Sequence, residues 1–206
     1  MIKQFKKYEV YEGEKIKGSR FIATCVPVSS LNDVRNVISS LQSEHPNANH
    51  HCWAVRLADG QERSNDDGEP GGSAGQPILQ RIQRAELVDS LVVVTRYFGG
   101  TKLGVGGLIR AYGGAAGEAI QTVEIQTMTS VDIVELEFAY SDQSVLRTLV
   151  HASNGIFDGE VYTDVVSWRV LLRPEFSTIF TEQCFDRTSG RVMPQINGQK
   201  LIMIES

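Results

Sequence analysis

The 206-residue sequence is poor in several features that would have narrowed its function. It holds three cysteines, Cys25, Cys52 and Cys184, too few and too far apart for a disulfide framework. Each sits in an apolar run, which predicts a reduced, buried thiol. No stretch reaches the ~18 consecutive apolar residues that a membrane-spanning helix needs. The opening "MIKQFKKYEVYEGEK" has no apolar core of a signal peptide. A cytoplasmic chain with no membrane partner is expected. There is no internal repeat and no low-complexity tract. Neither G-x-x-x-x-G-K-[ST] nor G-x-G-x-x-G is present, so no nucleotide site follows from a motif. The one G-x-S-x-G, Gly71 to Gly75, follows a polar loop rather than the end of an apolar strand, which is not the context of a nucleophile elbow, and no cysteine has a recognisable catalytic context. Catalysis is not required by any residue, and no cofactor is implied.

Positive charge is also scarce, and unevenly so. The chain has 20 Lys+Arg against 25 Asp+Glu, a net of −5. Residues 1–126 carry 14 of each sign, whereas residues 127–206 carry 6 cations against 11 anions. Affinity for nucleic acid rests largely on exchanging cations for counterions, so the second part is a poor phosphate-backbone binder. DNA is not expected as a partner. RNA contact is left to the first part, where Lys3, Lys6, Lys7, Lys15, Lys17 and Arg20 cluster.

What is present is a set of periodic segments. Residues 8–28 read as two strands of a hairpin, with Phe21, Ala23, Cys25 and Ile22, Thr24, Val26 on alternate faces. Ser30 with Asp33 starts a helix of about three turns that ends before Pro46. "HHCWAVRL" reads as a half-buried strand, followed directly by the polar loop "NDDGEPGGSAGQP". A helix begins near Ser73, either through a Ser73/Gln76 capping box or with Pro77 at its first position. "SLVVVTRYF" has the continuous apolar character of a central strand covered on both faces. A helix over 105–122 follows, although each interior glycine costs ~1 kcal/mol relative to alanine. Close backbone approach is the offset expected. After a polar stretch at 126–130 comes strand, helix (143–153, capped by Ser141 or Asp142), two strands, helix (174 to about 188) and strand. That βαββαβ order is the ferredoxin-like plait. The expectation is an α+β protein with domains at 1–128 and 129–206.

Two stretches are candidate sites. In the first, Asp66, Asp67 and Glu69 form an acidic cluster whose spacing does not match a calcium loop. It reads as a solvated turn or as a loop facing outward toward a ligand or partner. His50 and His51 point to opposite faces of a strand, so no metal site follows. In the second, Arg96 ends a strand, and Gly99, Gly100, Lys102, Gly106 and Gly107 lead into a helix that carries Arg110. That suits an anion at a helix N-terminus, and equally suits tight packing of a thin helix.

"DDGEPGGSAGQPIL" followed by "LVVVTRYFGGTKLGVGGLIRAY" resembles the signature of the IMPACT family, over about Lys17 to Ile120. The whole chain is similar to the bacterial, YigZ-type branch. The resemblance implies a ribosomal protein S5 domain 2-like fold for the first domain. For the second it implies a domain like the last one of elongation factor G. It also implies a translation-linked regulator that binds the ribosome, RNA or a ribosome-associated protein, with a role in stress response. The resemblance supplies no catalytic residues. The competing expectation is a small-molecule enzyme or phospho-ligand binder that uses the turn at 99–107.

Overall fold

The computed structural model describes residues 1–203, and these divide into two compact units, Ile2–Thr127 and the segment from Met128 on. The first unit contains β1 (Ile2–Phe5), β2 (Glu9–Glu12), β3 (Arg20–Pro27), α1 (Leu31–Glu44), β4 (His50–Arg56), β5 (Glu62–Asn65), α2 (Gly75–Arg84), β6 (Ser90–Tyr97) and α3 (Val105–Thr122). Its antiparallel sheet has the order β2-β3-β6-β4-β5. "SLVVVTRY" takes the centre because every residue but the last can be buried.

Strand alternation sorts the side chains into two cores. Phe21, Ala23, Cys25, Cys52, Ala54, Val92 and Val94 pack beneath α2 and α3. Val26, Val55, Leu91 and Val93 pack against α1 through Val34 and Leu41. β4 is therefore covered on both faces, not half-buried, because small Cys52 and Ala54 let α2 settle on the side that polar neighbours had suggested was open. α1 begins as expected, with the Asp33 N–H donating to Ser30 Oγ at 3.2 Å. It runs for 14 residues, one turn longer than the spacing predicted.

α3 occupies 105–122, and its small residues serve two neighbours. Ala111, Ala116 and Ala119 lie in the core cluster beneath which the sheet runs. A Cβ on Gly113 or Gly117 would instead meet Pro77 and Arg81 of α2, at 3.4–3.5 Å. Arg81 Nε donates to the Gly113 carbonyl at 2.9 Å across that contact. The glycines thus bring two helices together, and the alanines seat α3 on the sheet.

The second unit holds β7 (Ile125–Phe138, from Met128 on), a 3-10 turn at Tyr140–Asp142, α4 (Gln143–Ala152), β8 (Ile156–Tyr162), β9 (Val166–Leu172), α5 (Pro174–Arg187) and β10 (Gln195–Met203). The antiparallel order β10-β7-β9-β8 with two helices is the ferredoxin-like arrangement. Val134, Leu136, Phe138, Trp168 and Val170 face Leu146, Val150, Phe180 and Cys184 from the helices. Two local expectations differ. β7 already begins at Ile125, so the polar stretch at 126–130 is strand rather than linker. Asp142 does not cap α4 with its side chain; its carboxylate is held by Arg191 instead, at 2.6 Å. No helix among the described residues is long and apolar enough to cross a membrane.

Candidate functional site

In the first unit, β3 and β4 begin and β5 and β6 end at the same edge of the sheet. The register places Phe21 beside Arg96, Arg96 beside His50, and Trp53 beside Asn65. The acidic loop after Asn65 and the glycine-rich turn after Tyr97 therefore emerge side by side. The Lys15–Gly18 turn joins them there. A Cβ on Gly99 would stand 1.9 Å from the Gly18 carbonyl carbon, so only glycine lets these two backbones cross.

The acidic loop folds inward. Asp66 accepts backbone N–H bonds from Gly72 (2.8 Å), Ala74 (2.9 Å) and Gly75 (2.8 Å). It thereby caps the first turn of α2 from nine residues upstream. The Ser73/Gln76 box does not form, since Ser73 Oγ is buried without a partner and α2 has no cap from its own N-cap residue. Pro77 lies at the third helical position, not the first. Burial pushes the Asp66 carboxyl up, but the bonds from Gly72, Gly75 and Ala74 outweigh it and hold the group below its usual range.

Asp67 accepts from the His51 N–H at 2.6 Å and adopts a left-handed φ of 43°. Its carbonyl accepts from His50 Nδ1 at 2.7 Å, which assigns the proton of that imidazole to Nδ1. The Glu69 side chain is buried; it accepts from Tyr112 Oη at 2.7 Å and pairs with the Arg96 guanidinium. His50 Nε2 stands 3.8 Å from the same carboxylate oxygen. The Arg96 guanidinium carbon in turn lies over the rings of both Phe21 (5.5 Å) and Phe98 (5.6 Å). The expectation of outward-facing carboxylates is corrected for Asp66 and Glu69, whereas Asp67 accepts the His51 N–H and still stays exposed. Each carboxylate finds a donor within the fold, because a loop this rich in glycine leaves backbone N–H groups that need an acceptor. Arg96 is likewise not free for an external anion: it is buried and its charge is met by Glu69.

The surface that remains open is cationic and apolar. Lys15, Lys17, Lys102 and Arg110 are exposed, and none forms an ion pair among the described residues. Phe98, Val105 and Ile109 beside them are 42–52% exposed. Gly100, Gly104 and Gly106 are exposed as well, and α3 begins at Gly104 with no side-chain cap. Gly107 is half-buried, with Leu103 Cβ 3.0 Å from where its own Cβ would be. The other N-terminal cations are spent on neighbours: Lys3 on Glu86, Lys6 and Lys7 on Glu124, Arg20 on Glu12.

Buried Tyr112 and Ser19 and half-buried His50 complete the network, and sequence reasoning had assigned no such role to them. Tyr112 is the one aromatic in a helix made mostly of glycine, alanine and aliphatic residues, which was the available signal. Ser19 Oγ receives the Gly99 N–H at 3.1 Å and carries no sequence signal at all. His51 is buried against Thr95 Oγ1, and burial lowers its pKa. Burial pushes the thiols of Cys25, Cys52 and Cys184 up to about 12, so they are inert. Among the described residues, no group of three His, Cys, Asp or Glu is arranged to hold a metal ion.

The framework that positions these loops falls within residues 17–120, which match the Impact N-terminal domain. Similarity continues beyond it. An IMPACT family member of Haemophilus influenzae is 31% identical over 89% of this chain and 91% of its own. YigZ of Escherichia coli, also an IMPACT family member, is 32% identical over 86% and 89%. A crystal structure described only as that of a hypothetical protein superposes with a TM-score of 0.64 at 29% identity, covering 99% of this chain and 97% of that one. A Dictyostelium discoideum protein, named as an IMPACT homolog, matches over 46% of this chain. With a domain match that contains both glycine-rich stretches and relatives that span nearly the whole length, the chain belongs to the IMPACT family.

Proposed function

We propose that this protein is a non-catalytic regulatory module of the translation apparatus, acting through the loop end of its first unit on the ribosome, its RNA or a ribosome-associated protein. We take the two units as the domains expected at 1–128 and 129–206. The single observation that carries the reading is that Lys15, Lys17, Lys102 and Arg110, and with them Phe98, Val105 and Ile109, are exposed on the turns and the helix start at this end of the unit. Cations meet phosphate, and exposed aromatic and aliphatic side chains add sequence-tolerant contact area. The buried Glu69–Arg96–Tyr112 network serves this reading as scaffold, holding the surface loops in one arrangement. Co-sedimentation with ribosomes at low salt tests it. Binding is expected for the parent protein, with at least a tenfold loss in Lys102→Ala/Arg110→Ala. A protein that stays with free protein at every salt concentration, with and without stress, ends the proposal.

The second reading, a phospho-ligand binder or small-molecule enzyme, is favoured by the uncapped start of α3 beside Lys102 and Arg110. A thermal-shift screen of nucleotides and phosphorylated metabolites separates the two. Stabilisation by one such compound, lost in Lys102→Ala, would select this reading.

A further inference from the structure

We propose that the second unit has its own docking groove, between α5 and the start of β10, for a cationic amphipathic helix of another protein. The proposal goes beyond the loop-end reading and stands on different residues, so either can fail alone.

The groove has a volume of about 720 Å³. Phe185 of α5 and Met193, Pro194 and Ile196 line it as apolar floor and wall. Phe185 is 46% exposed, Met193 72% and Ile196 47%. A single exposed apolar residue is ordinary, but three large ones in one depression mark an interaction site. In α5, Phe180 and Cys184 enter the core, while Phe185 is left exposed at the groove. Met193 suits the role further, because an unbranched thioether adapts its shape to what it meets.

Charge selects the occupant. Glu182 and Asp186 rim the groove, both exposed, and neither has an ion-pair or side-chain hydrogen-bond partner among the described residues. No cation lines it. Residues 127–206 carry the whole net of −5. Phosphate is repelled there, whereas a lysine- or arginine-flanked apolar segment is attracted and steered. The backbone selects the occupant's conformation. β10 meets β7 on one side, and its register breaks between Ile196 and Gln199, with Gly198 at a φ of 115°. Such a bulge spoils the hydrogen-bond ladder that an added strand needs. A helix that inserts side chains at i, i+3, i+4 and i+7 needs no ladder.

The probe is a labelled leucine/lysine amphipathic helix of about five turns, roughly 18 residues, titrated with the full-length protein by fluorescence anisotropy. Saturable, salt-sensitive binding is expected. Glu182→Lys/Asp186→Lys is expected to weaken it at least tenfold, and Phe185→Ser to a similar degree. The charge-matched control Glu137→Lys/Asp164→Lys is expected to leave it unchanged. All these positions are exposed, and circular dichroism is to be run on each variant to check its folding. Equal weakening by both double variants would reduce the effect to general charge and overturn the groove. Equal binding of a leucine/glutamate helix, or of a scrambled peptide with the same composition, would overturn it too. Displacement of the probe by an RNA oligonucleotide in the Lys102→Ala/Arg110→Ala background would assign the second unit to nucleic acid and refute the proposal.

Discussion

At the scale of single residues, the acidic loop is governed by satisfaction of buried polar groups. Glu69 and Arg96 are each about one-twentieth exposed at the side chain, so their pairing offsets a large desolvation cost for both. Removing one partner leaves the other charge buried and unpaired. Glu69→Ala is expected to lower the unfolding free energy by about 3–5 kcal/mol, measured by urea denaturation. The double variant Glu69→Leu/Arg96→Met is expected to lose less than the two single changes together, because no lone charge remains. Asp66 gives a graded case. Asp66→Ala removes a helix cap and is expected to cost about 1–2 kcal/mol, while Asp66→Asn, whose one amide oxygen can keep the Ala74 and Gly75 bonds but whose nitrogen cannot accept from Gly72, is expected to cost less. A loop that faced a partner with all three carboxylates would show neither loss.

At the scale of elements, glycine has opposite consequences at two positions of the same stretch. Gly114 of α3 has nothing within 4 Å of a new Cβ. Gly114→Ala is therefore expected to stabilise by about 0.5–1 kcal/mol through helix propensity, read as a raised thermal midpoint. Gly99 meets the Gly18 backbone, which cannot shift as a flexible side chain would. Gly99→Ala is expected to destabilise by at least about 1–3 kcal/mol and to separate the two loops. The long elements were legible because their burial is periodic: α3 lies at 105–122 and the central β6 on "SLVVVTRY", as expected. β5 was not legible. "ERSN" is four polar residues, and only pairing with Trp53–Arg56 of β4 makes it a strand. The start of α2 was misread for a related reason, because its cap comes from Asp66 through a loop and not from Ser73 beside it.

For the whole molecule, the pH dependence of stability follows from groups whose charge state is biased by folding. Glu12, Asp33, Asp66, Glu135, Asp142 and Glu160 are held below the usual carboxylate range, and Glu124 is lowered to about 2 by the Lys6 and Lys7 ammonium groups. In each case the unfolded chain takes up protons first. Their contribution is present above a pH of about 4 and is lost as the pH falls toward about 2. The three thiols act in the opposite direction. Raised to about 12, they favour the folded state until the pH passes the ordinary thiol range near ~8.5, and their contribution falls from there. The urea midpoint is expected to form a plateau between these limits. A midpoint still rising as the pH drops from 5 to 3 would contradict the assignment.

The sequence by itself determined the two-part organisation, the α+β class, the order of the long elements and the family, because these depend on periodic burial and on motifs contiguous in the chain. It also located the charge asymmetry, which is a matter of counting. Only the tertiary structure decided what "NDDGEPGGSAGQP" does. Whether a carboxylate meets solvent or a buried donor depends on Arg96, Tyr112, His51 and the first turn of α2, which are brought to it by sheet register across up to 43 residues. The same register left Lys102, Arg110 and Phe98 at the surface while it buried Arg96. Local sequence holds no record of that division, because pairing between distant strands sets it.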